Sequence, residues 1–429
     1  MTVPSGISAG DTAWMLVATA LVLMMTPALG LFYAGLVRSK NTLNTFMMSV
    51  GALGVVTVTW AVLGYSLAFS KGNRFIGGFG YVMLHGVTFA PRAGTAIPHL
   101  LFMAFEATFC IITAALVSGA VVERMSFGAF LIFMVVWALL VYAPLAHWVW
   151  GGGWLVAHGT LDYAGGVPVE MASGFSAFAA ATAVGARKDF GRQALLPHNA
   201  VYALLGAGLL WFGWFGFNGG SGYSTGHSDV LAFTNTLLCP ACTLVVWFVL
   251  DLLVGGRVTA IGAATAIIVG CVGITPAAGY VSPTWAMALG AIAALPSYAL
   301  IQWRPRTRLD ETLDVLAAHG VAGFTGILFI GFFAQHSWNG LSNGLVYGHA
   351  HQLAWQAIAA AVGPAYAFGA TFLIMRGLGL LMPLRVRRQA EALGMDVAQH
   401  GEQAYTSGEG AILVMPEGDV EAERAVAQP

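Results

Sequence analysis

From Trp14 to Leu36 the chain carries no charged side chain. Ten further runs are nearly as apolar and about as long. A run of about 20 apolar residues is what an α-helix needs to cross the hydrocarbon core of a bilayer. Inside that core only a helix or a closed barrel can satisfy its own backbone groups. The runs lie at about 11–36, 43–69, 97–121, 126–149, 165–186, 196–217, 230–252, 258–275, 283–303, 313–334 and 351–382. Eleven of them predict an all-α polytopic membrane protein. Composition agrees: 58% of the residues are hydrophobic and 9% charged, against roughly a quarter charged in soluble domains. The last run is long enough to tilt or to extend past the bilayer. Residues 1–384 read as a membrane domain and 385–429 as a tail, with the acidic stretch 406–429 expected to be solvated and disordered.

Basic residues sort by side. With the N-terminus outside, Lys71, Arg74 and Arg92 fall outside, and the other 15 of the 18 Lys and Arg fall inside. Such a split follows the positive-inside rule and places the tail in the cytoplasm. Losing one span would scramble it, so it also supports the odd number. No Lys or Arg precedes Arg38. The first run therefore lacks the basic flank of a signal peptide and reads as a retained span. Net charge is −1 and no basic block points to nucleic acid. Glycine, 55 of 429 residues, lets helix backbones approach closely in membranes. Cys239 and Cys242 form a CxxC spacing inside an apolar run, where small buried thiols are expected rather than a metal or redox site. No metal-ligand cluster, nucleophile motif or phosphate loop supports an enzyme.

Ionisable residues inside spans are costly and mark pathways or partners. The candidates are Glu106, Asp162 at the entry to span 5, Glu170, Asp251, Asp314 and His319. Asp251 and Asp314 sit near helix ends, where interfacial or capping roles are expected. Glu170 stands about five residues, roughly 7 Å, into its span. His319 is the one histidine expected well inside a span. The segments "EMASGF" (170–175) and "HGVAGF" (319–324) align Glu170 with His319 and Gly-Phe with Gly-Phe. An odd number of spans separates them, so two such halves would run in opposite senses, as in inverted repeats whose sites lie near the midplane. Six residues can match by chance; the shared register of two ionisable residues argues for a repeat. A Glu and a His held together can share one proton.

Aromatics cluster at outward ends. "FEATF" puts Phe105 and Phe109 on one helical face. "HWVWGGGW" carries Trp148, Trp150 and Trp154, and "WFGWFGFNGGS" carries Phe217 and Ser221. Such residues form interfacial belts. With Asp162 close by they could also build a cation-binding vestibule, and pattern alone does not separate the two.

Taken with "PALGLFYAGLVRSKN" (27–41), "ERMSF" (123–127), "AHWVWGGGWL" (146–155), "GTLDYAGG" (159–166), "TPAAGY" (275–280), "AAHGVAGFTG" (317–326) and "GMDVAQHGEQAY" (394–405), these residues resemble the ammonium transporter (Amt/Mep/Rh) family, in its Amt/Mep branch. The resemblance covers about residues 11–405. It implies eleven spans, an outside N-terminus, a 5+5 inverted repeat, a homotrimer with one pore per subunit, and a multi-pass place in the cell membrane. It implies no cofactor. Trp150 and Ser221 match the family's outer recruitment site, with Phe109 beside them. Phe109 and Phe217 match the stacked gate phenylalanines. Asp162 matches the aspartate that supports cation binding and the local fold. His319 matches the second of the paired pore histidines, and Glu170 replaces the first, as in fungal Mep-type and some bacterial members. Glu106 stands where many members carry glutamine. The tail motif resembles the segment through which related trimers couple subunits and meet PII-type regulators.

The expected function is transport of ammonium or ammonia: the cation recruited outside, deprotonated, and ammonia passed down an apolar pore. A Glu170–His319 relay would then move charge across. A passive ammonia channel and an ammonium sensor are the alternatives.

Overall fold

The computed structural model describes residues 5–405. Eleven of its helices are long and apolar enough to cross a membrane. They are span 1 (Ala9–Leu36), span 2 (Ser39–Phe69), span 3 (His99–Ala120), span 4 (Phe127–Ala157), span 5 (Gly166–Val184), span 6 (Ala200–Gly219), span 7 (His227–Gly255), span 8 (Ala260–Ala277), span 9 (Pro283–Arg306), span 10 (Leu316–Phe333) and span 11 (Ala350–Leu381). Each apolar run of the sequence is one of them, with ends moved by a few residues. Span 6 starts at Ala200, later than apolarity predicts, for a local reason. The N–H groups of His198 and Asn199 donate to the carbonyls of Val37 and Gly35, and the Asn199 side chain caps the helix by accepting from Tyr202 N–H.

The chain reads as two sets of five spans plus one. Span 1 packs along span 6, and span 5 meets span 10. At the first contact a Cβ on Gly206 would lie 2.4 Å from the backbone nitrogen of Phe32. Only glycine lets the two backbones come this close. Spans 5 and 10 each open with a wide π turn, Gly166–Met171 and Leu316–Val321, before continuing as α-helix. Such turns displace the helical hydrogen-bond pattern and cluster at functional sites. Span 11, 32 residues long, is roughly 48 Å at 1.5 Å per residue and packs against spans 5 and 10. There Trp137 of span 4 donates through Nε1 to Ser176 of span 5 (2.9 Å) and Thr371 of span 11 (3.0 Å).

The loops that hold most of the arginines gather at one end of the bundle around buried ion pairs. Glu123 accepts from Arg38 (2.9 Å) and Arg187 (2.9 Å), and Arg187 also pairs with Asp310 (2.8 Å). Burial alone would raise both carboxyls, but Arg187 and Arg38 hold Glu123, and Arg187 and Arg124 hold Asp310, below their ordinary values. Glu123 takes φ +70°, a left-handed conformation that costs free energy and persists only where surroundings over-determine it. Its three side-chain partners, Arg38, Arg187 and Asn41, do so.

The described part of the tail lies on this same end. Val386 N–H donates to Arg124 O, and Lys188 N–H donates to the Glu391 carboxylate. Asp396 accepts from the N–H groups of Leu43 and Asn44 at the start of span 2. Residues 385–405 thus fasten onto the start of span 2 and onto loops 3–4 and 5–6. The acidic stretch expected to be disordered, 406–429, lies outside the described residues.

Candidate functional site

Phe109 of span 3 and Phe217 of span 6 face each other with ring centroids 4.1 Å apart. Both are 1% exposed. Trp150, which caps the helix Ala143–Val149 within span 4, sets its ring edge-on to Phe109 at 6.1 Å. Ser221 stands two residues past span 6, and its Oγ donates to Phe217 O at 2.7 Å. The four residues named from sequence therefore come together, with Trp150 and Ser221 on the loop side of the phenylalanine pair.

Asp162 is near them but not open to a ligand. Its carboxylate accepts from the N–H groups of Gly165 (2.9 Å), Gly166 (2.6 Å) and Val167 (2.7 Å). It caps the exposed amides at the head of span 5. Burial pushes its carboxyl up to about 6 in spite of these three donors. Trp150 Nε1 donates to Asp162 O at 3.0 Å, so the cap also fixes the indole.

Behind the phenylalanines lies a cavity, the candidate lumen, lined by Leu29, Ile112, Leu116, Val169, Leu210 and Ile268, among others. It is narrow, with room for about one water molecule. Among the described residues its only ionisable lining residues are Glu170 and His319. They sit in the wide turns of spans 5 and 10, and His319 Nδ1 lies 2.8 Å from Glu170 Oε2. Both are buried, at 0% and 3% exposure. Glu170 Oε1 has no hydrogen-bond partner among the described residues. With an ionised Glu170, Nδ1 donates and leaves Nε2 as an acceptor; with a protonated Glu170, the roles reverse. One proton can thus be exchanged within the pair.

The match of "EMASGF" with "HGVAGF" is a match in space. A Cβ on Gly174 would lie 2.2 Å from Gly320 N, beside His319, and a Cβ on Gly323 would lie 2.6 Å from Glu170 Cβ. Each glycine stands four residues after its own helix's ionisable residue and touches the other's. The contact is reciprocal, as an approximate two-fold axis between spans 5 and 10 requires.

Sequence reading missed the counterpart of Asp162. Glu311, 1% exposed, accepts from the N–H groups of Val315 (3.0 Å) and Leu316 (3.3 Å) at the head of span 10. Burial, with the Asp314 carboxylate close by, pushes it up to about 7. The signal was present: Asp162 precedes Glu170 by the same eight residues as Glu311 precedes His319. Asp314 pairs with Arg304, and Asp251 accepts from Thr259 at the head of span 8, in keeping with end-of-helix roles. Cys239 is a buried free thiol donating to Gly270 O.

A profile described as the Ammonium Transporter Family matches residues 13–405. Among curated relatives, the ammonium transporter of Bacillus subtilis is 43% identical over 92% of this chain and 98% of its own length. Ammonium transporter Amt1 of Archaeoglobus fulgidus is 39% identical over 93% of this chain and 100% of its own. The crystal structure of Saccharomyces cerevisiae Mep2 superposes with a TM-score of 0.87 at 33% identity, covering 95% of this chain and 94% of that one. A structure described as a sensor Amt protein superposes at 0.83 with 28% identity, over 91% and 98%. With eleven spans, a profile match over nearly the whole described chain and relatives at this identity, the chain belongs to the ammonium transporter family, a family of membrane transporters and not of enzymes.

Proposed function

We propose that this chain carries ammonium across the cell membrane by recruiting the cation at Trp150 and Ser221, deprotonating it, and passing ammonia and proton separately beyond Phe109 and Phe217. The observation that carries the reading is the apolar lumen whose only ionisable liners are the hydrogen-bonded pair Glu170 and His319. Aromatic faces attract a cation. A lumen this narrow strips its hydration, which a permanent ion such as potassium cannot recover. Ammonium escapes that cost by leaving its proton. Ammonia needs little room, and the pair gives the proton a separate hydrogen-bonded path. In this reading Asp162 acts by holding span 5 and Trp150, not by touching the cation.

Net charge then crosses with each ammonium. An ammonium jump applied to proteoliposomes on a solid-supported membrane is expected to evoke a saturable current. Trp150→Leu and Ser221→Ala should raise its half-saturation while leaving the saturated current nearer wild type, by about 1–2 kcal/mol of lost recruitment. Uptake of ammonia without current at any pH would replace this reading with the passive channel. Unchanged half-saturation in both variants would remove the aromatic site from it.

The 15-to-3 split of basic residues supports an outside N-terminus, and the family supports a homotrimer. The docked segment Gly394–Tyr405 is proposed as the contact for a PII-type regulator. A pull-down with such a protein, with ADP and with ATP, decides it; no capture in either condition rejects the partner. The likeness to a sensor Amt protein keeps ammonium sensing as the second reading, to be separated by whether a variant without current still signals.

A further inference from the structure

Glu106 is a second buried carboxylate in the membrane, and the lumen does not use it. It lies in span 3, next to Phe105 and three residues before Phe109. It is 2% exposed. Its Oε1 accepts from the Tyr223 hydroxyl at 2.6 Å. Its Oε2 has no partner among the described residues, and neither has the buried hydroxyl of Tyr142, which belongs to a wide turn of span 4 packed on span 3. Tyr223 stands two residues after Ser221, in the loop between spans 6 and 7. It takes φ +58°, a left-handed conformation uncommon for an aromatic residue. Its ring rests on Phe102 (4.9 Å) and Phe105 (6.0 Å).

The groups that face Glu106 are few. Tyr223 comes from the 6–7 loop, Tyr142 from span 4, Tyr65 from span 2 and Arg92 from the 2–3 loop. Behind Tyr65, His99 shares a hydrogen bond with its hydroxyl. Arg92 is the one full positive charge of the set. Its guanidinium lies over Phe102 at 5.2 Å and makes no ion pair with Glu106. A carboxylate with one hydroxyl donor and no bonded cation is poorly paid for as an anion in a low-dielectric interior. A monovalent cation arriving among the aromatic faces one helical turn away would compensate it.

We propose that Glu106 is a specificity-determining residue, the counter-charge for ammonium held at the aromatic site. It acts through space and through Tyr223, which ties it to the turn bearing Ser221, and it does not touch the cation. The inference rests on recruitment at Trp150 and Ser221. Cation binding and ionisation of Glu106 then favour each other, because opposite charges attract more strongly in a dry site than in water. Recruitment weakens as pH falls and Glu106 takes a proton. A purely structural Glu106 would need only its hydrogen bond to Tyr223.

Glu106→Gln keeps that hydrogen bond, through the amide oxygen, and loses the charge. In proteoliposomes we expect its half-saturation for ammonium to rise about tenfold, a loss of one unit-charge interaction at an effective dielectric between protein and water. Its saturated current should stay near wild type, and its half-saturation should no longer depend on pH. Wild-type half-saturation with a wild-type pH response overturns the inference. Arg92→Gln, on a surface loop, gives a second and opposite readout should the first variant not assemble. With the neighbouring positive charge gone, half-saturation should fall where Glu106 remains ionised, and the pH at which recruitment weakens should move up. An unmoved pH midpoint in Arg92→Gln overturns it equally. A raised half-saturation in Trp150→Leu with no effect in Glu106→Gln rejects the counter-charge and leaves the recruitment site standing.

Discussion

Glu170→Gln is expected to fold, to span the membrane as wild type does, and to lose most of its ammonium-evoked current. Glutamine has the shape of glutamate and can still hydrogen-bond His319 across the 2.8 Å separation. It cannot take up or release a proton. The lumen beside it is lined almost wholly by apolar side chains, so no other group along that wall can substitute. If the pair carries the proton, the variant retains ammonia passage at most, and current falls by two orders of magnitude or more, the usual scale for removing a positioned acid–base group, about 10²–10⁴-fold. Admission of potassium would be a further sign that proton-linked selection is gone. Glu170→His sets a second imidazole opposite His319. It should keep activity with a shifted pH dependence, since an imidazole titrates in a different range from a carboxyl. A glutamine variant with wild-type current and wild-type pH profile would show that Glu170 does not ionise during transport. Glu170 would then be a buried hydrogen-bonding residue and nothing more.

Gly174→Ala should be nearly as severe, for a reason of packing. The added methyl would sit 2.2 Å from the backbone nitrogen and 2.4 Å from the Cα of Gly320. Neither atom belongs to a flexible side chain, so spans 5 and 10 must separate. Overpacking a well-filled interior costs about 1–3 kcal/mol, and here the strain falls on main chain, toward the upper end or beyond. Separation also pulls His319 from Glu170, because the glycine packs against the turn that carries the histidine. Low recovery of monodisperse protein is expected, with a depressed melting temperature and current reduced at least tenfold in what is recovered. Gly54→Ala in span 2 is the control: a Cβ there meets nothing within 4 Å. If the two alanine variants melt and transport alike, the contact between spans 5 and 10 has slack enough to admit a methyl group.

What apolar run length could reveal, it revealed: a helix must be about 20 residues long to cross, so the runs mark the spans within a few residues. Run length says nothing about what lies beside a helix end. The heads of spans 5 and 10 are buried in protein, away from water, and so each needs its own acceptor for the free amides. That is why Asp162, matched to a cation site by resemblance, spends its carboxylate on three backbone donors, and why run length alone gives no sign of Glu311, which lies between two apolar runs. The pairing of Glu170 with His319 was legible because two ionisable residues in apolar runs are rare enough to stand out, and a repeat put them in one register. The hydroxyl that Tyr223 offers Glu106 was not legible. It joins residues 117 apart in sequence through a loop whose backbone conformation no local pattern announces.

The reciprocal contact of spans 5 and 10 bears on the sense of transport. Each helix brings its ionisable residue to the shared contact by the same means: a carboxylate cap, a wide turn and a glycine four residues on. The two do so from opposite ends of the bundle. A mechanism assembled twice, head to tail, contains no arrow. The differences between the halves, a carboxyl facing an imidazole and the aromatic group at one end, can set unequal half-saturations on the two sides. At equilibrium those must be offset by unequal maximal rates, so they fix no direction. Accumulation would then follow only the electrochemical gradient, and vesicles preloaded with ammonium and diluted should give a current of inverted sign through the same residues. A strictly one-way current would show that something outside the pair rectifies it.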